Sequence, residues 1–220
     1  VFTEHPQEGS PPSRDPASTT YVATMQSSHE FGPMLRAEAI RRNIGGAKEM
    51  VFISDGAHYF KEIARVYFPQ ATWILDFYHA AEHLHEVVGV LYDPATKKAQ
   101  KLAKQWTRWL LNDKVDRFIS RARELAAPEL MDDINKKLQY FENHREGMLY
   151  GTFTQKGFFI GSGVVEAGCK TLIGKRLKQS GMFWSEDGAE NILSFRSAIF
   201  SRTYDNIWGR NVRQEYRLAA

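Results

Sequence analysis

Two short, mostly apolar runs, Met50–Ser54 and Thr72–Leu75, each end at an aspartate, Asp55 and Asp76. Apolar runs of this length without alternation are what strands buried on both faces require. Between them, Tyr59–Phe68 carries Ile63, Val66 and Tyr67 at helical spacing as an inward face and stops at Pro69. Upstream, Tyr21–Met25 has β character. Ser28–Asn43 places Phe31, Leu35, Ala39 and Ile40 at helical steps, with Ser28 as the N-cap and Gly45 just past the end. Strand, helix, strand, helix, strand in this order predicts parallel neighbours near 21–25, 50–54 and 72–76 in one sheet of an α/β fold.

From His79 to about Glu146 only helical periodicity remains. Leu84, Val87, Val88 and Leu91 form one apolar stripe, and Leu102, Trp106, Trp109 and Leu110 a second. Val115, Phe118, Ile119 and Ala122 form a third, and Leu130, Ile134, Leu138 and Phe141 a fourth. Pro94 and Pro128 punctuate the block, and Asn112-Asp113 suits a turn within it. Four such stripes predict an all-helical block with its own small core. A glycine-rich stretch, Gly151–Gly163, leads into two more helices around Ser162–Lys175 and Ser185–Arg202. Residues 4–19, rich in Pro, Ser, Thr and acidic side chains, read as loop without regular structure.

Composition excludes little but narrows the argument. A formal net charge of +3 over 220 residues does not itself indicate a nucleic-acid partner, so charge placement must decide. The single cysteine, Cys169, excludes an intrachain disulfide, suits a reducing cytoplasm and reads as a packing residue rather than a nucleophile. No apolar run is long enough to span a bilayer. The first residues lack the basic start and apolar middle of a signal peptide, and with no initiator Met the chain reads as cut from something longer.

Carboxylates at the carboxyl ends of strands in open α/β sheets stand where ligands bind. Asp55, before Gly56, has that position and suits a metal, although Asp is also a preferred helix cap. Asp76 poses the same choice, with His79 three residues on. His79-Ala80-Ala81-Glu82-His83 also matches the inverted zinc-protease pattern, which would need a third ligand from Glu124, Glu129, Glu142 or Glu146. Glu166, in the run Gly161–Lys170, is one helical turn from Lys170 and could simply pair with it. Yet no further acidic residue appears until Glu186, while Lys170, Lys175, Arg176 and Lys178 accumulate. One carboxylate followed by four cations suits a metal ligand beside a polyphosphate. A second basic element is the helix around Lys97–Leu111. Lys97, Lys101, Lys104 and Arg108 share a face there, with Lys98 beside them and no acidic residue between Asp93 and Asp113. Such a face is either solvated or a phosphate track.

Together these segments resemble one family. Phe52-Ile53-Ser54-Asp55-Gly56-Ala57, then Phe68-Pro69, then Leu75-Asp76-Phe77-Tyr78-His79-Ala80 are similar to the Mutator-like bacterial insertion-sequence transposases of the DDE superfamily, and within them to the Kra-type group. Ile160–Lys170, the block Arg176-Leu177-Lys178-Gln179-Ser180-Gly181-Met182-Phe183-Trp184 and Asn191–Arg196 resemble that group's C-terminal half. The likeness covers about residues 20–200.

The resemblance implies a ribonuclease-H-like catalytic core over 21–80 and 150–203, interrupted by a helical insertion over 81–149. It leaves a loop over 1–20 and a tail over 204–220. It implies that Asp55 and Glu166 are the second and third catalytic carboxylates and metal ligands, coming within roughly 4–8 Å of each other across a two-ion site. Asp76 and His79 would support the site. Lys97, Lys101, Lys104, Arg108, Lys170, Lys175, Arg176, Lys178 and Trp184 would contact double-stranded DNA. Two Mg²⁺ ions, replaceable by Mn²⁺, would serve hydrolysis at an element end and transesterification into target DNA by a homo-oligomer in a synaptic complex, within the bacterial cytoplasm. The family's first aspartate would precede Val1. On that reading the sheet is incomplete and its exposed edge invites self-pairing. The chain as given would then bind DNA without cleaving it. The alternative is a non-catalytic DNA-binding remnant.

Overall fold

The computed structural model describes residues 3–4 and 13–205, which fall into two compact units. One unit comprises residues 3–4, 13–47 and 163–205, the other residues 48–162. Most of the expected N-terminal loop and of the 204–220 tail lies outside the described residues.

In the first unit, β1 (Thr3–Glu4) pairs antiparallel with β2 (Ser13–Arg14). The expected strand over Tyr21–Met25 is not one. Two of its backbone donors, at its ends, are taken by side chains far along the chain: Tyr21 N–H donates to Ser201 Oγ at 2.9 Å and Met25 N–H to Glu190 Oε2 at 2.6 Å. β character in the sequence therefore lost to two distant side-chain acceptors, Glu190 and Ser201. The next element, α1 (Ser28–Arg41), is capped by Ser27 rather than Ser28, because Glu30 reaches back to the Ser27 N–H at 3.0 Å. It ends where Asn43 turns left-handed at φ 56°.

The second unit opens with β3 (Val51–Ser54), α2 (His58–Tyr67) and β4 (Thr72–Leu75). β3 and β4 are parallel, in register from Val51 opposite Thr72 to Ser54 opposite Leu75. The buried side of α2 holds Ile63 and Ala64, whereas Val66, expected to face inward, is 53% exposed. A two-stranded parallel sheet within a mostly helical chain is the α/β element observed, and the third expected parallel strand is absent from it.

The helical block follows as α3 (Phe77–Leu91), α4 (Lys97–Leu110), α5 (Val115–Leu125) and α6 (Met131–Asn143). α3 packs on α4 and α6, and α5 on those same two helices. The four apolar stripes meet there: Leu84, Val87, Trp106, Leu110, Phe118, Ala122, Ile134, Leu138 and Phe141 are all fully buried. Fully burying each of the larger aliphatic and phenylalanine side chains stabilises by roughly 1.5–3 kcal/mol, and their helical spacing lets four helices, rather than strands, turn them all inward. After a 3₁₀ turn at Arg145–Met148, α7 (Tyr150–Gln155) closes the unit. Asp113, left-handed at φ 58°, caps α7 by accepting from Gly151 N–H at 2.7 Å and Thr152 N–H at 2.9 Å.

The first unit resumes with α8 (Gly163–Gly168), a π-helical run over Cys169–Gly174, the short α9 (Lys175–Leu177) and α10 (Glu186–Phe200). A Cβ on Gly168 would lie 2.7 Å from the Tyr21 ring, so glycine is what lets the 21–25 segment lie against α8. Among the described residues no helix is long and apolar enough to cross a membrane.

Candidate functional site

The carboxyl ends of β3 and β4 carry Asp55 and Asp76, and the two aspartates sit in different states. Asp76 is completely buried. Its Oδ1 accepts from Tyr78 N–H at 2.8 Å and His79 N–H at 3.1 Å, capping α3, and its Oδ2 accepts from Ser162 N–H. Phe77 N–H donates to Ile160 O at 2.9 Å beside it. Both oxygens are thus engaged by backbone, and the side chain ties the start of α3 to the strap at 160–162.

Asp55 is half-buried. Its Oδ1 accepts from Ala57 N–H at 3.0 Å, and among the described residues nothing hydrogen-bonds its other oxygen. Gly56 follows at φ +88°, a region that favours glycine. The turn is gripped from α6. Tyr140 Oη donates to Asp55 O at 3.1 Å, and His144 Nε2 lies 3.1 Å from Gly56 O. The other ring nitrogen, Nδ1, lies 2.6 Å from Tyr140 O. Burial, reinforced by the Asp55 and Asp76 carboxylates, pushes the Tyr140 phenol well above its usual range, so it remains a donor. Burial also lowers the His144 pKa below the ordinary histidine value, with Lys61 and His83 adding to the effect against the two carbonyls. Trp73, 5.9 Å from the His144 ring, donates to Ser54 Oγ at 3.0 Å and completes this wall.

His79 is partly exposed on α3 and sits 3.2 Å from Glu82, while His83 sits 3.4 Å from Glu86. The glutamates considered as a third zinc ligand are partly committed elsewhere: Glu124 to Arg121, Glu142 to Arg123 and Glu146 to Lys61. Among the described residues no group of three or more His, Cys, Asp or Glu side chains gathers as a metal site.

On α4, Ala99, Ala103, Trp106 and Leu110 face the core, which turns Lys97, Lys101, Lys104 and Arg108 outward. Lys101, Lys104, Gln105, Arg108 and Trp109 line an open groove of about 460 Å³. The Arg117 guanidinium lies over the Trp109 ring, 4.5 Å from its centre, and Lys98 lies over the Tyr92 ring at 4.0 Å. None of the four face cations has an acidic partner among the described residues.

The remaining expected residues belong to the other unit. Glu166 is exposed on α8 and, among the described residues, is not paired with Lys170 or any other cation. Lys170, Lys175, Arg176 and Lys178 are exposed along the π-helical run and α9, and Arg176 lies 5.7 Å from the Trp184 ring. Cys169 is exposed, so the packing role expected of it does not hold: it lies one turn after Val165 and Glu166, on the same exposed side, while Leu172 is buried. No family model, curated protein or solved structure matches the chain.

Sequence reading missed Tyr140 and His144. Their four-residue spacing puts Tyr140 in the last turn of α6 and His144 one turn on, just past its end, and their polarity beside the Phe141 stripe was the available signal. What they hold lies 85 and 88 residues away, and local spacing does not reveal it.

Proposed function

We propose that the chain is a transposase-type DNA-processing segment of the Mutator-like kind, with a ribonuclease-H-like catalytic core whose metal-ligating carboxylates are Asp55 and Glu166. The observation that carries this reading is the state of Asp55: a carboxylate at the carboxyl end of a parallel strand, with one oxygen left open in a turn fixed by its neighbours. A carboxylate serving only as a cap needs no such grip.

The available donors suit Mg²⁺ or Mn²⁺, which prefer hard oxygen ligands. Asp55 offers a free oxygen, and Glu166 is exposed without a counter-charge among the described residues. The chemistry supplied on binding is activation of a water or 3′-hydroxyl and stabilisation of the leaving oxygen. Asp76 holds the end of β4 and the 160–162 strap in place, with His79 opening the helix behind it. Lys97, Lys101, Lys104 and Arg108, and separately Lys170, Lys175, Arg176, Lys178 and Trp184, bind and orient the phosphate backbone of double-stranded DNA. Assembly as a homo-oligomer on paired element ends belongs to the same proposal.

The test is a Mn²⁺ titration of the chain by water-proton relaxation, alongside DNA binding at several salt concentrations. Asp55→Asn and Glu166→Gln should each weaken Mn²⁺ binding at least about tenfold and leave the salt dependence of DNA binding unchanged. Mn²⁺ binding indifferent to both substitutions would overturn the catalytic reading. The exposed cations of α4 would then favour the second reading, a DNA-binding protein without chemistry. Absence of DNA binding would remove both.

A further inference from the structure

We propose that Tyr140 and His144 are positioning residues for Asp55, so that the helical block sets the orientation of the strand-end carboxylate. The inference rests on the reading of Asp55 as the carboxylate that does the chemistry, but its geometry lies wholly within residues 48–162.

Asp55 and Gly56 form the turn that leaves β3. A turn after a strand, open at its carboxyl end, has rotational freedom about the backbone of both residues, and the carboxylate moves with it. Here two consecutive carbonyls face α6. Tyr140 donates to the first at 3.1 Å, and His144 Nε2 stands 3.1 Å from the second. Two contacts on adjacent peptide planes fix both the height and the rotation of the turn, which one contact does not. His144 faces a carbonyl with each ring nitrogen, Tyr140 O at 2.6 Å from Nδ1 and Gly56 O at 3.1 Å from Nε2, so the neutral ring donates to only one of them and hydrogen-bonds Gly56 in the Nε2–H tautomer.

The clamp is itself held. His83 of α3 stacks on Tyr140 with ring centres 3.8 Å apart, and Phe141, the next residue of α6, is fully buried. The space is filled on the other side as well. A Cβ on Gly56 would lie 2.7 Å from Leu75 Cδ1, 3.3 Å from His144 Nε2 and 3.4 Å from the Tyr140 hydroxyl. The turn therefore has no room to relax toward α6 or toward β4. Misplacing a reacting group by about 1 Å can cost roughly a hundredfold in rate, so a clamp of this kind matters to a metal-holding carboxylate far more than to a helix cap.

The Ala57 N–H, which donates to Asp55 Oδ1 at 3.0 Å, reports the carboxylate's orientation directly. In native-state hydrogen exchange, Tyr140→Phe keeps the ring and removes only the hydroxyl. Ala57 protection should fall about five- to tenfold, the effect of one lost hydrogen bond, while the amides of α6 keep theirs. His144→Ala should act likewise, and His144→Gln, which restores an N–H donor, should recover most of the protection. Unchanged Ala57 protection in both Tyr140→Phe and His144→Ala overturns the proposal whatever the metal does. The Mn²⁺ titration separates the two readings. If Asp55→Asn abolishes binding and Tyr140→Phe leaves it intact, the clamp fails and the metal reading stands. If Asp55→Asn has no effect, the metal reading fails and exchange alone judges the clamp.

Discussion

Replacing Asp76 by asparagine changes one oxygen to an NH₂ group and almost nothing in shape, so its cost measures what the buried carboxylate does. The side chain is fully buried and accepts three backbone N–H groups, two on Oδ1 and one on Oδ2. The less damaging amide orientation keeps the carbonyl toward Tyr78 and His79 and turns NH₂ against the Ser162 N–H. That forfeits one charge-assisted bond, leaves a buried donor unsatisfied and reduces the other two to neutral strength. Hydrogen bonds to charged groups contribute roughly 1.5–3 kcal/mol and neutral ones about 1 kcal/mol. The neutral amide recovers part of the carboxylate's desolvation penalty. The net expectation is about 2–3 kcal/mol for Asp76→Asn and about 4–5 kcal/mol for Asp76→Ala. Urea denaturation followed by fluorescence of Trp73 and Trp106 reads this unit. With a slope of about 2 kcal/mol/M, the Asp76→Asn midpoint should fall by about 1–1.5 M. A midpoint within about 0.25 M of the parent chain would refute the reasoning, because three N–H donors cannot all be served by an amide in the same place.

Gly147→Ala should destabilise the same unit by at least about 2 kcal/mol, since its Cβ would lie 2.4 Å from the Trp73 ring and 2.9 Å from the Leu75 backbone nitrogen. A urea midpoint that does not move would mean Trp73 shifts freely. Charge reversal at Lys101 and Lys104 should weaken DNA binding and lower the slope of log affinity against log salt by about 2, from counterion release of about 0.9 per phosphate contact. Anisotropy titrations with an unchanged slope would leave the α4 face merely solvated. Because burial lowers the His144 pKa, the unfolded chain binds more protons just below the ordinary histidine value of 6.5. The neutral ring's contribution to stability is therefore full above that pH and is lost as pH falls through the lowered folded value. His144→Gln should flatten the fall in stability on that acid side, as measured by thermal melts across pH.

The parts of the fold that were legible are those fixed by local pattern. β3 and β4 could be read because each is a short apolar run closed by an aspartate, and α3 to α6 because their stripes repeat at 3.6 residues and bury large side chains. Asp55 and Asp76 were marked by position at strand ends, but their different states were not. Only the structure shows that Ser162, 86 residues on, uses up Asp76 while Asp55 keeps an open oxygen. The Tyr21–Met25 segment was misread because its hydrogen-bond partners are side chains 165 and 180 residues away. Val66 falls off the buried side of α2, where Ala64, two positions earlier, packs beside Ile63. The change from α- to π-helical closure at Cys169 is likewise not signalled by composition.

That change of helix type alters how the stretch from Gly163 to Leu177 can be compared or re-engineered. A π turn closes from residue i to i+5, one residue more than an α turn. The side-chain phase carried by α8 is therefore not the phase in which α9 resumes after Cys169–Gly174. A wheel drawn through the whole stretch at a single period assigns Lys175 and Arg176 to the wrong side relative to Glu166. The discrepancy amounts to about one residue, roughly 100° of α-helical rotation. Removing one residue from the π run and closing it as α-helix would therefore keep α8 and α9 in phase, so a one-residue gap here leaves Lys175 and Arg176 on the same side relative to Glu166.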